Sequence, residues 1–178
     1  MLRIVVLGCV LLLVSGCGGG SSDSPTSVAP TPPTPADLDY AFQTLNAMRA
    51  SEAPGAAPFV RDAGLDGYAA NACAHYIQTG VGHGYYNSNP ISAVCPTPIA
   101  PAGANTDAEN QGIVGPGTSN TAGVDMVNAA FLAEKSLPQG HPDRGHYENI
   151  IDPGLNSVGI GMARAPDGRL IITWDFCD

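Results

Sequence analysis

Two of the four histidines stand where an imidazole would be left open. His83 lies in GVGHGYY with glycine on both sides, and His146 opens GHYENIIDP after a glycine. Glycine neighbours let other backbone come close and leave a ring uncovered. Each of these side chains could be a core histidine, a metal ligand or a general base. His75, among alanines, reads as structural or exposed, and His141 in GHPDRG precedes a proline in a turn. Two carboxylates complete the set of groups that could do chemistry. Val124, Val127 and Phe131 form an apolar helical stripe, and the next step along that stripe puts Glu134 on the same inward face. A buried carboxylate there needs a partner; the alternative is a frayed helix end that returns Glu134 to water. Glu109, in AENQG, is an isolated acid in a polar stretch. Familiar enzyme signatures are missing: the chain has no H-E-x-x-H, no G-x-S-x-G elbow and no glycine-rich phosphate loop.

The elements that must position these residues follow from periodicity. Thr34 as N-cap, Pro35 in the first helical position and Asp37 three residues after the cap open a helix with Leu38, Ala41, Phe42, Leu45 and Met48 at helical spacing. AGLDGYAANACAHYIQTG predicts a second helix, with Leu65, Ala69, Ala72, Cys73 and Tyr76 on one face and Gly80 as its stop. TAGVDMVNAAFLAEKSL predicts a third, the one that carries Glu134. Between the second and third lies a Pro/Gly/Asn-rich stretch, Tyr86 to Asn120, too long for an idle loop, so it is functional or only partly ordered. At the C-terminal end the period changes. SVGIGMA alternates Val158, Ile160 and Met162 with Gly159 and Gly161, APDG makes a turn, and RLIITWDF alternates again, which predicts a β-hairpin with one bare face that a helix could approach. Helices first and strands last indicate an α+β sandwich.

The N-terminus points to export. MLRIVVLGCVLLLVSGC has one basic residue, an apolar run from Ile4 to Val14 and small residues before a cysteine, the pattern of a secretory signal over residues 1–16. The run is shorter than the roughly 20 residues of a membrane span. Val14-Ser15-Gly16-Cys17 resembles a bacterial lipobox, so Cys17 is the expected lipidation site and membrane lipid the expected partner of its acyl chains. Residues 17–36, rich in Gly, Ser, Pro and Thr, cannot bury enough apolar surface to order themselves and read as a tether that holds the domain about 25 Å from the membrane. The expected location is the bacterial cell envelope, lipid-anchored at the outer membrane or cell surface. Cys9 goes with the signal, which leaves Cys73, Cys95 and Cys177 in an oxidising compartment. Three thiols allow one disulfide and leave one over. Spacing does not choose the pair, although Cys73 with Cys95 closes the shortest loop. The formal net charge of −9, with no basic patch, argues against a nucleic-acid partner.

LNAMR, LDGYAANACA, VGHG, AENQG, FLAEKS, GHYENIIDP and VGIGMA followed by TWDF occur, in this order and rough spacing, in the CAP superfamily of cysteine-rich secretory, antigen 5 and pathogenesis-related proteins (the SCP-like domain). The chain resembles its bacterial members over about Asp37 to Cys177, which suggests a CAP domain at 37–178. The resemblance implies an α-β-α sandwich with a central antiparallel sheet and a cleft formed by His83, Glu109, Glu134 and His146. In such a cleft a carboxylate polarises an imidazole, and His83 and His146 could hold a divalent metal such as zinc, with water completing the site. The sequence departs from the usual family pattern in having Phe131 where tryptophan is commoner three residues before Glu134, and in the long insertion between His83 and Glu109. His141 competes with His146 for the family position, but only His146 is followed by x-x-N-I. Two functions are compatible with the resemblance. One is a binding module for a small apolar ligand, a cell-wall component or a protein; the other is a metal-assisted hydrolase with the histidines as ligands and a glutamate as base.

Overall fold

The computed structural model describes residues 31–96 and 107–178. The signal, Cys9, Cys17 and the tether as far as Pro30 lie outside the described residues. Helix α1 (Pro35–Glu52) begins at the predicted capping box: Asp37 Oδ2 accepts from the Thr34 N–H at 2.8 Å, and Thr34 Oγ1 accepts from the Asp37 N–H at 3.4 Å. Such caps contribute about 1 kcal/mol. Helix α2 (Ala63–Thr79) is capped by Asp62, which accepts from the N–H groups of Gly64 and Leu65, and ends at Gly80 in the left-handed conformation. A short helix α3 (Gly84–Ser88) follows, then α4 (Asn120–Ala133) and α5 (Gly145–Ile151).

Strands β1 (Val60–Arg61), β2 (Asp107–Val114), β3 (Ser157–Arg164) and β4 (Leu170–Cys177) form one sheet in the order β1-β3-β4-β2. The predicted hairpin is β3 and β4, and β2 joins β4 antiparallel. The sheet is therefore antiparallel except at one edge, where β1 runs parallel to β3. A strand of two residues imposes little register of its own. Its direction follows α2, which starts two residues later and packs on β3.

Strand alternation sorts the layers. Val158, Ile160, Leu170, Ile172, Trp174 and Phe176 point to one face, where they form the main core with α1, α4 and Ile150 of α5. The other face receives α2. A Cβ on Gly159 would lie 2.0 Å from the carbonyl carbon of Leu65, and one on Gly161 2.3 Å from that of Ala69, so the two glycines are what permits this approach. The result is an α+β fold, a helix layer on each side of a sheet.

Arg49 clamps the helical layer. It is fully buried, donates to the carbonyls of Ala57, Ile150 and Leu155 at 2.7, 3.0 and 2.8 Å, and lies 3.9 Å above the Phe59 ring. Because Ile150 belongs to α5, this clamp fixes the helix that carries His146. Cys95 pairs with Cys177, and Cys73 is the free thiol among the described residues. Cys73 cannot serve the shorter loop because it faces the sheet, with Sγ 3.3 Å from Thr173 Oγ1. No helix among the described residues is long and apolar enough to cross a membrane.

Candidate functional site

His83 leaves the end of α2 with φ of 55°, a left-handed conformation that histidine adopts more readily than most side chains. Gln111 of β2 steadies it by accepting its backbone N–H at 3.3 Å, and the same amide donates to Thr173 Oγ1 at 3.1 Å. Its ring turns to β2, where Nδ1 lies 2.7 Å from Glu109 Oε1. Glu134 stands just past the last residue of α4, where the chain tightens into a single 3-10 turn (Glu134–Ser136). This placement resolves the choice between an inward residue and a frayed end: Glu134 Oε1 lies 2.6 Å from His146 Nδ1, and Oε2 accepts the Tyr147 N–H at 3.1 Å. Ionised carboxylates only accept, so in both pairs the proton sits on Nδ1, and Nε2 is the nitrogen left for a ligand.

The two pairs meet. The His83 and His146 rings stack with centroids 5.9 Å apart and an interplanar angle of 26°. Phe131 also stacks on His146 at 4.5 Å and meets Trp174 edge-on at 5.7 Å, so a ladder of rings runs outward from the core. The structure thus brings together His83, Glu109, Glu134 and His146. His75 lies outside the set, packed against the position of Gly84, and His141 uses its Nδ1 to accept the Asp143 N–H in its own turn.

Residue-level reading of the sequence missed the groups that join the halves. Asn110 is fully buried; its amide donates to the His146 carbonyl at 2.9 Å and accepts from Asn149 at 2.8 Å. Alternation along β2 points Glu109 at His83 and Asn110 at α5, so one strand holds both histidine segments. Asp175 was missed too. It is completely buried on β4, directly opposite Glu109 in the sheet register.

A profile of the cysteine-rich secretory protein family, CAP, matches residues 42–176. The chain belongs to the CAP family. Solved structures share its fold at low identity. NaASP2 with Zn2+ aligns at TM-score 0.59 and 12% identity over 80% of each chain. An outer surface protein of Borrelia burgdorferi aligns at TM-score 0.59 and 14% identity over 84% of this chain and 98% of that one. A cysteine-rich secretory protein of Staphylococcus aureus aligns at TM-score 0.52 and 12% identity over 80% of this chain and 39% of that one. A comparison with curated protein sequences returned no significant match.

For this CAP domain the zinc expectation narrows. The site offers two imidazole nitrogens, each ring with its Nδ1 held by a carboxylate, as in carboxylate–histidine–zinc arrangements. Among the described residues, however, no group of three or more His, Cys, Asp or Glu side chains could hold a metal ion, and catalytic zinc normally has three protein ligands. Two imidazoles would hold a divalent ion only with water or substrate in its remaining positions.

Proposed function

We propose that this CAP domain is an exported, lipid-anchored binding module whose cleft of His83, Glu109, Glu134 and His146 orients a small apolar ligand, a cell-wall component or a protein partner. The observation that carries this reading is the ring ladder with both Nδ1 atoms committed to carboxylates. It holds two hydrogen-bonding nitrogens in fixed directions against rings packed on the core, a setting of few polar groups on apolar support common to ligand sites. The free thiol among the described residues is no activated nucleophile for it. Cys73 is fully buried, and burial pushes its thiol up to about 12.

The test compares the parent with the His83→Ala, His146→Ala double variant. Each is isolated from the envelope, and its bound lipids and proteins are identified by mass spectrometry. The parent should enrich a component that the double variant loses, and identical profiles would defeat the reading. For the anchor, Cys17→Ser should release the protein from membranes or block its processing, and unchanged fractionation would remove that part.

Metal-assisted hydrolysis is the second reading, favoured by the paired imidazole–carboxylate geometry and by a fold neighbour crystallised with Zn2+. Calorimetric titration with zinc chloride should show weak binding that the double variant abolishes and that fades in acid as the ligands protonate. Zinc-dependent turnover of a peptide or ester panel, lost in the double variant, would put hydrolysis in place of binding.

A further inference from the structure

Beneath His83 lies an acidic residue that the cleft reading does not use. Asp175 has no exposure, and neither of its carboxyl oxygens has a hydrogen-bond donor among the described residues; the inner oxygen of Glu109, Oε2, lacks one as well. Glu109 and Asp175 are partners in the β2–β4 register, and both point to the α2 side of the sheet. On the other flank Asp175 is paired with Gly159, which offers no side chain. Three buried acceptor oxygens side by side cannot satisfy one another if both groups are ionised. A single proton between them solves the problem, because a protonated carboxyl is a donor.

We propose that Asp175 is a positioning residue of the cleft: a neutral carboxylic acid that donates its proton to Glu109 Oε2, so that Glu109 carries the one negative charge and holds Oε1 on His83 Nδ1. The surroundings agree. The groups that face Asp175 are Glu109 and Asp107 of β2, Cys73 and Tyr68 of α2 and, beside Tyr68, Tyr85 of α3, all acids, phenols or a thiol. Burial first, then the charges of Glu109 and Asp107, push the Asp175 carboxyl well above the usual range. Burial, with the charge of Glu109 nearby, pushes the Tyr68 phenol up as well. The arrangement forms a line from Asp175 through Glu109 to His83, in which the outer imidazole takes its orientation from a proton held in the core.

The consequence at His83 rests on the cleft reading, but the protonation of Asp175 is measured without any ligand, so the two fail separately. A group whose folded value is raised contributes stability below its unfolded value, near 3.9 for aspartate, and loses it as pH rises toward the folded value. Over that window the unfolded chain releases a proton that the native state keeps. Asp175→Asn, neutral at every pH and still a donor, lacks this dependence. Equilibrium denaturation of the full chain at pH 5, 6 and 7 should therefore show the unfolding constant of the parent rising with pH relative to Asp175→Asn, by up to about tenfold per pH unit. A ratio that does not change with pH overturns the proposal. Nitrogen NMR of the His83 ring supplies a readout that mere packing would not move: Asp175→Asn should keep the parent pattern, whereas Asp175→Ala should lose the fixed Nδ1–H form. An unchanged ring in Asp175→Ala also overturns it. Should either variant fail to fold, carboxyl carbon NMR of the parent decides alone. At pH 7 the Asp175 carboxyl must appear protonated, and an ionised Asp175 would refute the proposal.

Discussion

The His83–Glu109 and His146–Glu134 pairs are nearly equal in length, 2.7 and 2.6 Å, but they are built on different supports. Glu109 projects from the middle of a strand, with its side chain 1% exposed, above a second buried acid. Glu134 sits where a helix ends, with its side chain 15% exposed and one oxygen on a backbone N–H. The first pair depends on sheet register, on the close approach of α2 and on the disulfide that ties Cys95 to the end of β4. The second depends on a helix terminus and on the Asn110 and Arg49 contacts to α5. Equal contact distances thus conceal unequal tolerance: disturbing the sheet should reach His83 first, whereas changes around α5 should remain local.

The largest expected break removes the covalent tie. Replacing Cys95 and Cys177 by alanine frees a loop closed over a sequence separation of 82 and should cost about 4 kcal/mol, read as a shift in the denaturation midpoint with the His83 resonances moving before those of His146. Thiol mapping of the parent sharpens the point. Of cysteines 73, 95 and 177, Cys73 alone should be alkylated after unfolding without reduction, and none in the native state, since burial pushes that thiol up to about 12. Alkylation of native Cys73 would contradict the packing of α2.

Next in size is a contrast between two glycines. Gly159→Ala would drive a methyl group into the Leu65 backbone and should cost about 3 kcal/mol, whereas Gly145→Ala, beside His146, meets nothing within 4 Å and should stay within about 0.5 kcal/mol. Thermal or denaturant melts of both variants check this, and similar losses would erase the asymmetry.

The smallest effect compares the carboxylates themselves. Glu109→Ala leaves a buried gap beside Asp175 and should cost about 2 kcal/mol; Glu134→Ala, where water can replace the lost oxygens, should cost about 1 kcal/mol. Equal values for the two would show that the second acid beneath Glu109 has no energetic role.

Much of this molecule was readable along the chain because the signals are local. The Thr34 capping box, the stop at Gly80, the inward phase of Glu134 and the glycine alternation of β3 each involve residues a few positions apart, and the structure has all of them. His83 and His146 drew notice through their glycine neighbours in the same way. Strand β2 was not readable: DAENQGIV is polar until its end, and what makes it a strand is its pairing with β4 across more than fifty residues. Strand preference belongs to such neighbours more than to the residues themselves. With β2 unrecognised, Glu109 had meaning only through family resemblance, and Asn110 and Asp175 had none. The choice of Cys177 over Cys73 as partner of Cys95, and the burial of Arg49 under three carbonyls, were likewise decided by which faces the fold turned together. Periodicity determines which face of an element is apolar; only the packed sheet determines which polar groups are left facing one another inside it.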